Sequence, residues 1–135
     1  MAICKTQEIA ILLKNLRNKK YEKVFDFHEA NAKGFFLYCY GNKNKSLSKN
    51  IIGELARNSV VLDSGYKDQI LESKNGILYV PWYARIYLKM KKIQTVALYY
   101  YNKGVKNVFT FETSKNITLD ERKRTIKIIL GMILE

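Results

Sequence analysis

Residues 34–41 read GFFLYCYG, six strand-forming residues closed by a glycine at each end. Such a run predicts a strand. At 135 residues the chain suits one domain, 1–135, built around a single core. The other elements therefore have to be arranged about a sheet that contains this strand.

N-terminal to it, Ile9, Leu12, Leu13 and Leu16 recur at helical spacing, with Thr6 placed to cap a helix over about 6–18. Phe25 and Ala32 suggest a second helical piece within 19–33. C-terminal to it, GNKNKS is a polar loop. Ser48 is then placed to cap a helix carrying Ile51, Ile52, Leu55 and Ala56. Residues 59–62 read as a short strand, 66–73 as one or two helical turns, and Asn75-Gly76 as a turn.

The stretch 80–91, VPWYARIYLKMK, alternates. Val80, Trp82, Ala84, Ile86, Leu88 and Met90 are apolar, while Tyr83, Arg85, Tyr87, Lys89 and Lys91 are aromatic or basic. Period two predicts a strand over about 77–90, followed by strands at 93–101 and 107–113. A helical rival exists for 82–101, because Trp82, Ile86, Met90, Ile93 and Ala97 also lie near helical spacing. Thr118 and Glu121 form a capping-box pattern that opens a helix running to the C-terminus. Its inner stripe is read as Leu119, Ile126, Ile129, Leu130 and Ile133. Its outer face, with Arg122 and Arg124, would serve a protein partner or a homodimer.

The net charge of +12, from 24 Lys and Arg against 12 Asp and Glu, predicts attraction to a polyanion or an anionic ligand. The accompanying Lys-Asn bias also arises in an A+T-rich genome. No apolar run approaches the roughly 20 residues of a membrane span. The N-terminus does not read as a secretory signal, so a cytoplasmic protein is expected.

No catalytic constellation emerges, and the expectation is a protein that is not an enzyme. His28 is the only histidine, and Cys4 and Cys39 the only cysteines, too few for a conventional zinc site. The two thiols are expected to be reduced. There is no glycine-rich phosphate loop, and Glu72-Ser73-Lys74 reads as a solvated turn. A winged helix can be drawn with Leu55-Ala56 ending one helix, Tyr66-Lys67 opening the next and residues 77–80 starting the wing. Val60-Val61 inside its turn, and three strands where a wing needs two, argue against it.

Several phrases resemble the GAF domain, a small-ligand sensor fold, best over residues 47–134. LSKNIIGELARNSVVLDSGYKD is similar to the family's helix, short strand and acidic turn. ILYVPW and IQTVALYYYNK are similar to two of its strands, and the passage from Phe109-Thr110 through LDERKRTIKIILGMIL to its closing strand and helix. The resemblance implies an α+β fold of the GAF or PAS kind: an antiparallel sheet of about five strands with the N- and C-terminal helices on one face. It also implies a regulatory domain without a cofactor or metal. A small anionic ligand would sit between the sheet and residues 58–78, with Tyr38, Tyr66, Trp82 and Arg85 the residues expected to hold it. The alternative is a DNA- or RNA-binding protein such as a transcriptional regulator, with Tyr83, Tyr87, Lys89, Lys91, Arg122 and Arg124 on nucleic acid.

Overall fold

The computed structural model describes residues 7–16, 19–92 and 95–134. Thr6 and Cys4 lie outside them. The elements in chain order are α1 (Gln7–Leu16), β1 (Lys23–Ala30), β2 (Phe36–Tyr40), a 3₁₀ turn (Asn42–Asn44), α2 (Lys45–Arg57), β3 (Lys67–Asp68), β4 (Leu71–Glu72), β5 (Ile77–Val80), α3 (Trp82–Met90), α4 (Val96–Asn102), β6 (Asn107–Ser114) and α5 (Leu119–Ile133).

The fold is α+β, with a four-stranded sheet in the order β1-β6-β2-β5 and a separate β3-β4 hairpin. The main sheet is mixed rather than antiparallel. β1 runs parallel to β6, β6 antiparallel to β2, and β2 parallel to β5. A parallel β2–β5 pair requires a crossover, and α2 supplies it.

Every residue of β2 is buried, and strand parity divides its side chains between two cores. Phe36, Tyr38 and Tyr40 point to one face with Leu78, Val80 and Val108. There they meet Ala84 and Leu88 of α3 and Ala97, Leu98 and Tyr100 of α4, with Leu16 of α1 packed alongside. Leu37 and Cys39 point to the other face with Ile77, Phe109 and Phe111, against Ile51 and Leu55 of α2 and Ile129 and Ile133 of α5. Helices thus cover both faces. The expectation of the two terminal helices on one face fails, because α1 and α5 lie in opposite layers.

The segment 82–90 is a helix, not the second half of a long strand. Among the described residues β5 pairs with β2 at the edge of the main sheet, beside a single Lys74↔Ile77 bridge, and the β2–β5 register ends at Tyr40↔Val80. Beyond Val80 the ladder has no partner, so the backbone polar groups are satisfied within a helix instead. Pro81 has its fixed φ at the N-cap. The choice splits the apolar set Trp82, Ala84, Ile86, Leu88 and Met90, which a strand would have turned to one core-facing side: Ala84 and Leu88 are buried, whereas Trp82, Ile86 and Met90 are exposed. Residues 96–102 are helical too, capped by the Thr95 hydroxyl, which accepts from the Leu98 N–H at 3.1 Å.

Four further expectations are revised. The proposed helical piece within 19–33 is strand β1, and the turns at 66–73 are the β3-β4 hairpin. The short strand at 59–62 is reduced to one bridge, Phe35↔Leu62. Asn44 rather than Ser48 occupies the N-cap position of α2, without a side-chain capping bond, and Ser48 is buried within the helix. The capping box of Thr118 and Glu121 is present as read.

Gly34 permits the close passage of the segment leading into β2 beside residues 61–62. A Cβ there would lie 2.6 Å from the Val61 carbonyl oxygen. Gly34→Ala is expected to destabilise the fold by about 1–3 kcal/mol, as overpacking does. Urea unfolding should show a lower midpoint; an unchanged one would contradict this account of the contact.

Candidate functional site

At the C-terminal ends of β2 and β5 the chain makes two sharp departures from the sheet. After Tyr40 it turns through Gly41, at φ 74°, into the 3₁₀ turn and α2. After Val80 it turns through Pro81 into α3. The first turn is pinned by a buried amide. Asn44 Nδ2 donates to the Tyr40 carbonyl at 2.9 Å and to the Lys106 carbonyl at 3.0 Å, joining the end of β2 to the approach to β6. Gly41 is required as well, because a Cβ there would stand 2.5 Å from the Tyr101 hydroxyl.

Two adjoining concavities open between these turns. One, of about 380 Å³, is bordered by Tyr40, Arg85, Lys43 and Lys106. The other, of about 280 Å³, is bordered by Lys45, Tyr79, Pro81 and Trp82. Gly41, Asn42 and Tyr101 form a wall common to both. Arg85 lies over the Tyr101 ring, 5.0 Å from its centroid, and Lys45 over the Tyr79 ring at 5.3 Å. These are cation–π distances. Among the described residues four cations border the two concavities and no carboxylate does, so the groove is electropositive.

The residues expected to hold a small ligand divide between two places. Trp82 and Arg85 reach this groove, in neighbouring concavities. Tyr38 and Tyr66 lie elsewhere, under the β3-β4 hairpin. Tyr38 is fully buried and donates to Asp68 Oδ2 at 2.8 Å, and Tyr66 stacks on Phe36 with centroids 4.6 Å apart. The alternative set also divides. Tyr83, Tyr87 and Lys89 are on α3, and Lys91 ends it with its ammonium 5.9 Å from the Tyr87 ring centroid. Arg122 and Arg124 are on α5 in the opposite layer. Arg122 bonds Glu29 Oε1 at 2.6 Å and Arg124 bonds the Asn58 carbonyl at 2.7 Å. Sequence reasoning missed Tyr79, Tyr101, Lys43, Lys45 and Lys106. The lysines stand in or beside recognisable loops, but their convergence depends on the β2–β5 register and on the helical state of residues 96–102.

A second polar group lies on the α3/α4 face of the sheet. Asp26, Thr110 and Tyr38 are in one cross-strand row, and His28 and Glu112 are opposite each other in a neighbouring one. His28 Nε2 is 2.8 Å from Asp26 Oδ2. Glu112 is only 4% exposed, and its Oε2 has no hydrogen-bond partner among the described residues. Burial raises the Glu112 pKa. Burial also raises the Tyr38 hydroxyl, with the Asp68 charge adding to it, so Tyr38 remains a neutral donor. Cys39 is a free buried thiol whose pKa burial pushes up, which makes it a packing residue rather than a nucleophile.

No family model matches the chain, and no curated protein matches its sequence. Among solved structures its fold is similar to a crystal structure from Shewanella denitrificans OS217 described as a "putative metallopeptidase". The TM-score is 0.71 at 11% sequence identity, over 94% of this chain and 46% of that one. The likeness is one of fold, and the chain spans less than half of that protein. Among the described residues no group of three or more His, Cys, Asp and Glu is arranged to hold a metal ion. Nor is any helix among them long and apolar enough to cross a membrane.

His28 offers a direct check on the polar rows. Its hydrogen bond to Asp26 raises its pKa above the ordinary 6.5, against the opposing effect of burial. A raised folded-state value means that its contribution to stability is complete below the unfolded pKa and is lost as pH rises through the folded one. As the only histidine, it gives an unambiguous NMR titration. The midpoint is expected above 6.5 and should fall in Asp26→Asn. A wild-type midpoint at or below 6.5 would contradict the pairing.

Proposed function

We propose that the protein binds nucleic acid through the groove between the β2–α2 turn and α3. The observation that carries this reading is the groove's composition: Lys43, Lys45, Arg85 and Lys106 around aromatic rings, without a carboxylate among the described residues. In a chain of net charge +12, such a surface attracts phosphates from a distance and neutralises them on contact. The cations are spread along two open concavities instead of converging at one point, which suits a chain of phosphates better than a single anion.

A GAF-like sensor of a small anionic ligand is the second reading. It is favoured by the presence of Trp82 and Arg85, two of the residues expected to hold such a ligand, in this same groove. Ligand length separates the two. A nucleic-acid binder gains affinity from mononucleotide to oligonucleotide, whereas a small-anion site does not. Neither reading assigns a reaction to the protein.

The expected behaviour is electrostatic. Oligonucleotide affinity, measured by fluorescence anisotropy, should fall linearly with salt on a double-logarithmic plot. Arg85→Ala and Lys45→Ala should each weaken binding and reduce the slope by about one. Arg124→Ala, on the opposite layer, should leave the slope unchanged. Absence of oligonucleotide binding at low salt would overturn the proposal.

A further inference from the structure

We infer that the groove accepts an unpaired nucleotide, with the base among Trp82, Tyr79 and Tyr101 and the phosphates toward Arg85, Lys43 and Lys106. This rests on the nucleic-acid reading above and narrows it from any phosphate chain to a single strand.

The two concavities divide aromatic from cationic chemistry along the groove. The 280 Å³ concavity has three aromatic rings and Pro81 at its border, with Lys45 as its cation. Its neighbour carries Arg85, Lys43 and Lys106. A nucleotide has the same division, a flat ring system joined to a charged group. The shared wall of Gly41, Asn42 and Tyr101 would stand where the two parts of such a ligand meet. The aromatic concavity is smaller than the roughly 300–1,000 Å³ of sites enclosing a drug-sized ligand, which suits one ring system. The exposed Asn42 side chain, on the wall common to both concavities, brings an amide donor and acceptor to base edges.

Trp82 supplies the second observation. It is 73% exposed, a large ring left in water beside a cationic concavity. Ile86 and Met90, 54% and 78% exposed, follow it along one face of α3. A duplex keeps its base faces stacked inside and would offer this surface phosphates, sugars and groove edges but no free base face. An unpaired strand presents π-faces that stack on exposed aromatic side chains, and the remaining stripe would cover the next nucleotide. The same stripe of apolar side chains with flanking cations also resembles a helix face that rests on an anionic lipid surface, so lipid is included in the test.

Trp82 is the only tryptophan, so its fluorescence reports the site directly. Single-stranded DNA, duplex DNA of the same length and anionic phosphatidylglycerol vesicles are titrated separately at low salt. Saturable quenching by the single strand, with little change on duplex, is expected. By anisotropy of labelled DNA, Trp82→Ala should weaken single-strand binding about tenfold or more and leave duplex binding unchanged. Trp82→Phe should retain most of the affinity, and circular dichroism confirms that both variants fold. Equal binding of single strand and duplex, with no effect of Trp82→Ala, would overturn this inference and leave the broader reading in place. No binding of either DNA would overturn both. So would a Trp82 emission shift on vesicles alone, which would reassign the face to lipid.

Discussion

The complete burial of β2 organises the molecule. A strand flanked by β6 on one side and β5 on the other, with no residue exposed, must bury apolar side chains in both directions. Its parity sends Phe36, Tyr38 and Tyr40 to one layer and Leu37 and Cys39 to the other. Each set then needs its own cover of helices. The three-layer arrangement follows, as does the separation of α1, α3 and α4 from α2 and α5. Because β2 is short, its register with β5 ends at Tyr40↔Val80, and both chains leave the sheet at the same edge. The groove lies where they leave.

Local interactions then fix the groove's shape. The Asn44 amide fastens the turn after β2 to the Lys106 carbonyl. Gly41 gives the Tyr101 hydroxyl room against the backbone. Arg85 and Lys45 lie over aromatic rings rather than against carboxylates. A cation held over a ring keeps its full charge available to an incoming anion, unlike Arg122, whose charge is already paired with Glu29.

Much of this was legible in the sequence where local chemistry decides structure. The glycine-bounded β2, the alternating β6, the Asn75-Gly76 turn and the Thr118 capping box needed no knowledge of distant contacts. β1 carried a readable signal, Phe25 and Phe27 alternating with Asp26 and His28, obscured by the acidic and basic residues around it. Residues 82–90 were not decidable locally, since Ala84 and Leu88 satisfy a helix and a strand equally well. What decided them was the absence of a partner for the backbone beyond Val80. That misreading placed Trp82 in the core and Arg85 on a sheet face. In the fold both reach the groove, because a helix turns them toward the same edge. Tyr79 and Tyr101 had no sequence signal as site residues, because only tertiary pairing brings them there.

The proposal to be tested is that nucleic acid occupies this edge of the sheet and not the α5 layer or the His28–Glu112 rows. Amide and indole chemical shifts of isotopically labelled protein, followed during titration with a single-stranded oligonucleotide, distinguish these locations. Saturable shifts are expected at Gly41, Asn42, the Trp82 indole, Tyr101 and Gly104, with Arg124 and Glu112 unmoved. Shifts centred on α5 or β1, or none at all, would contradict it.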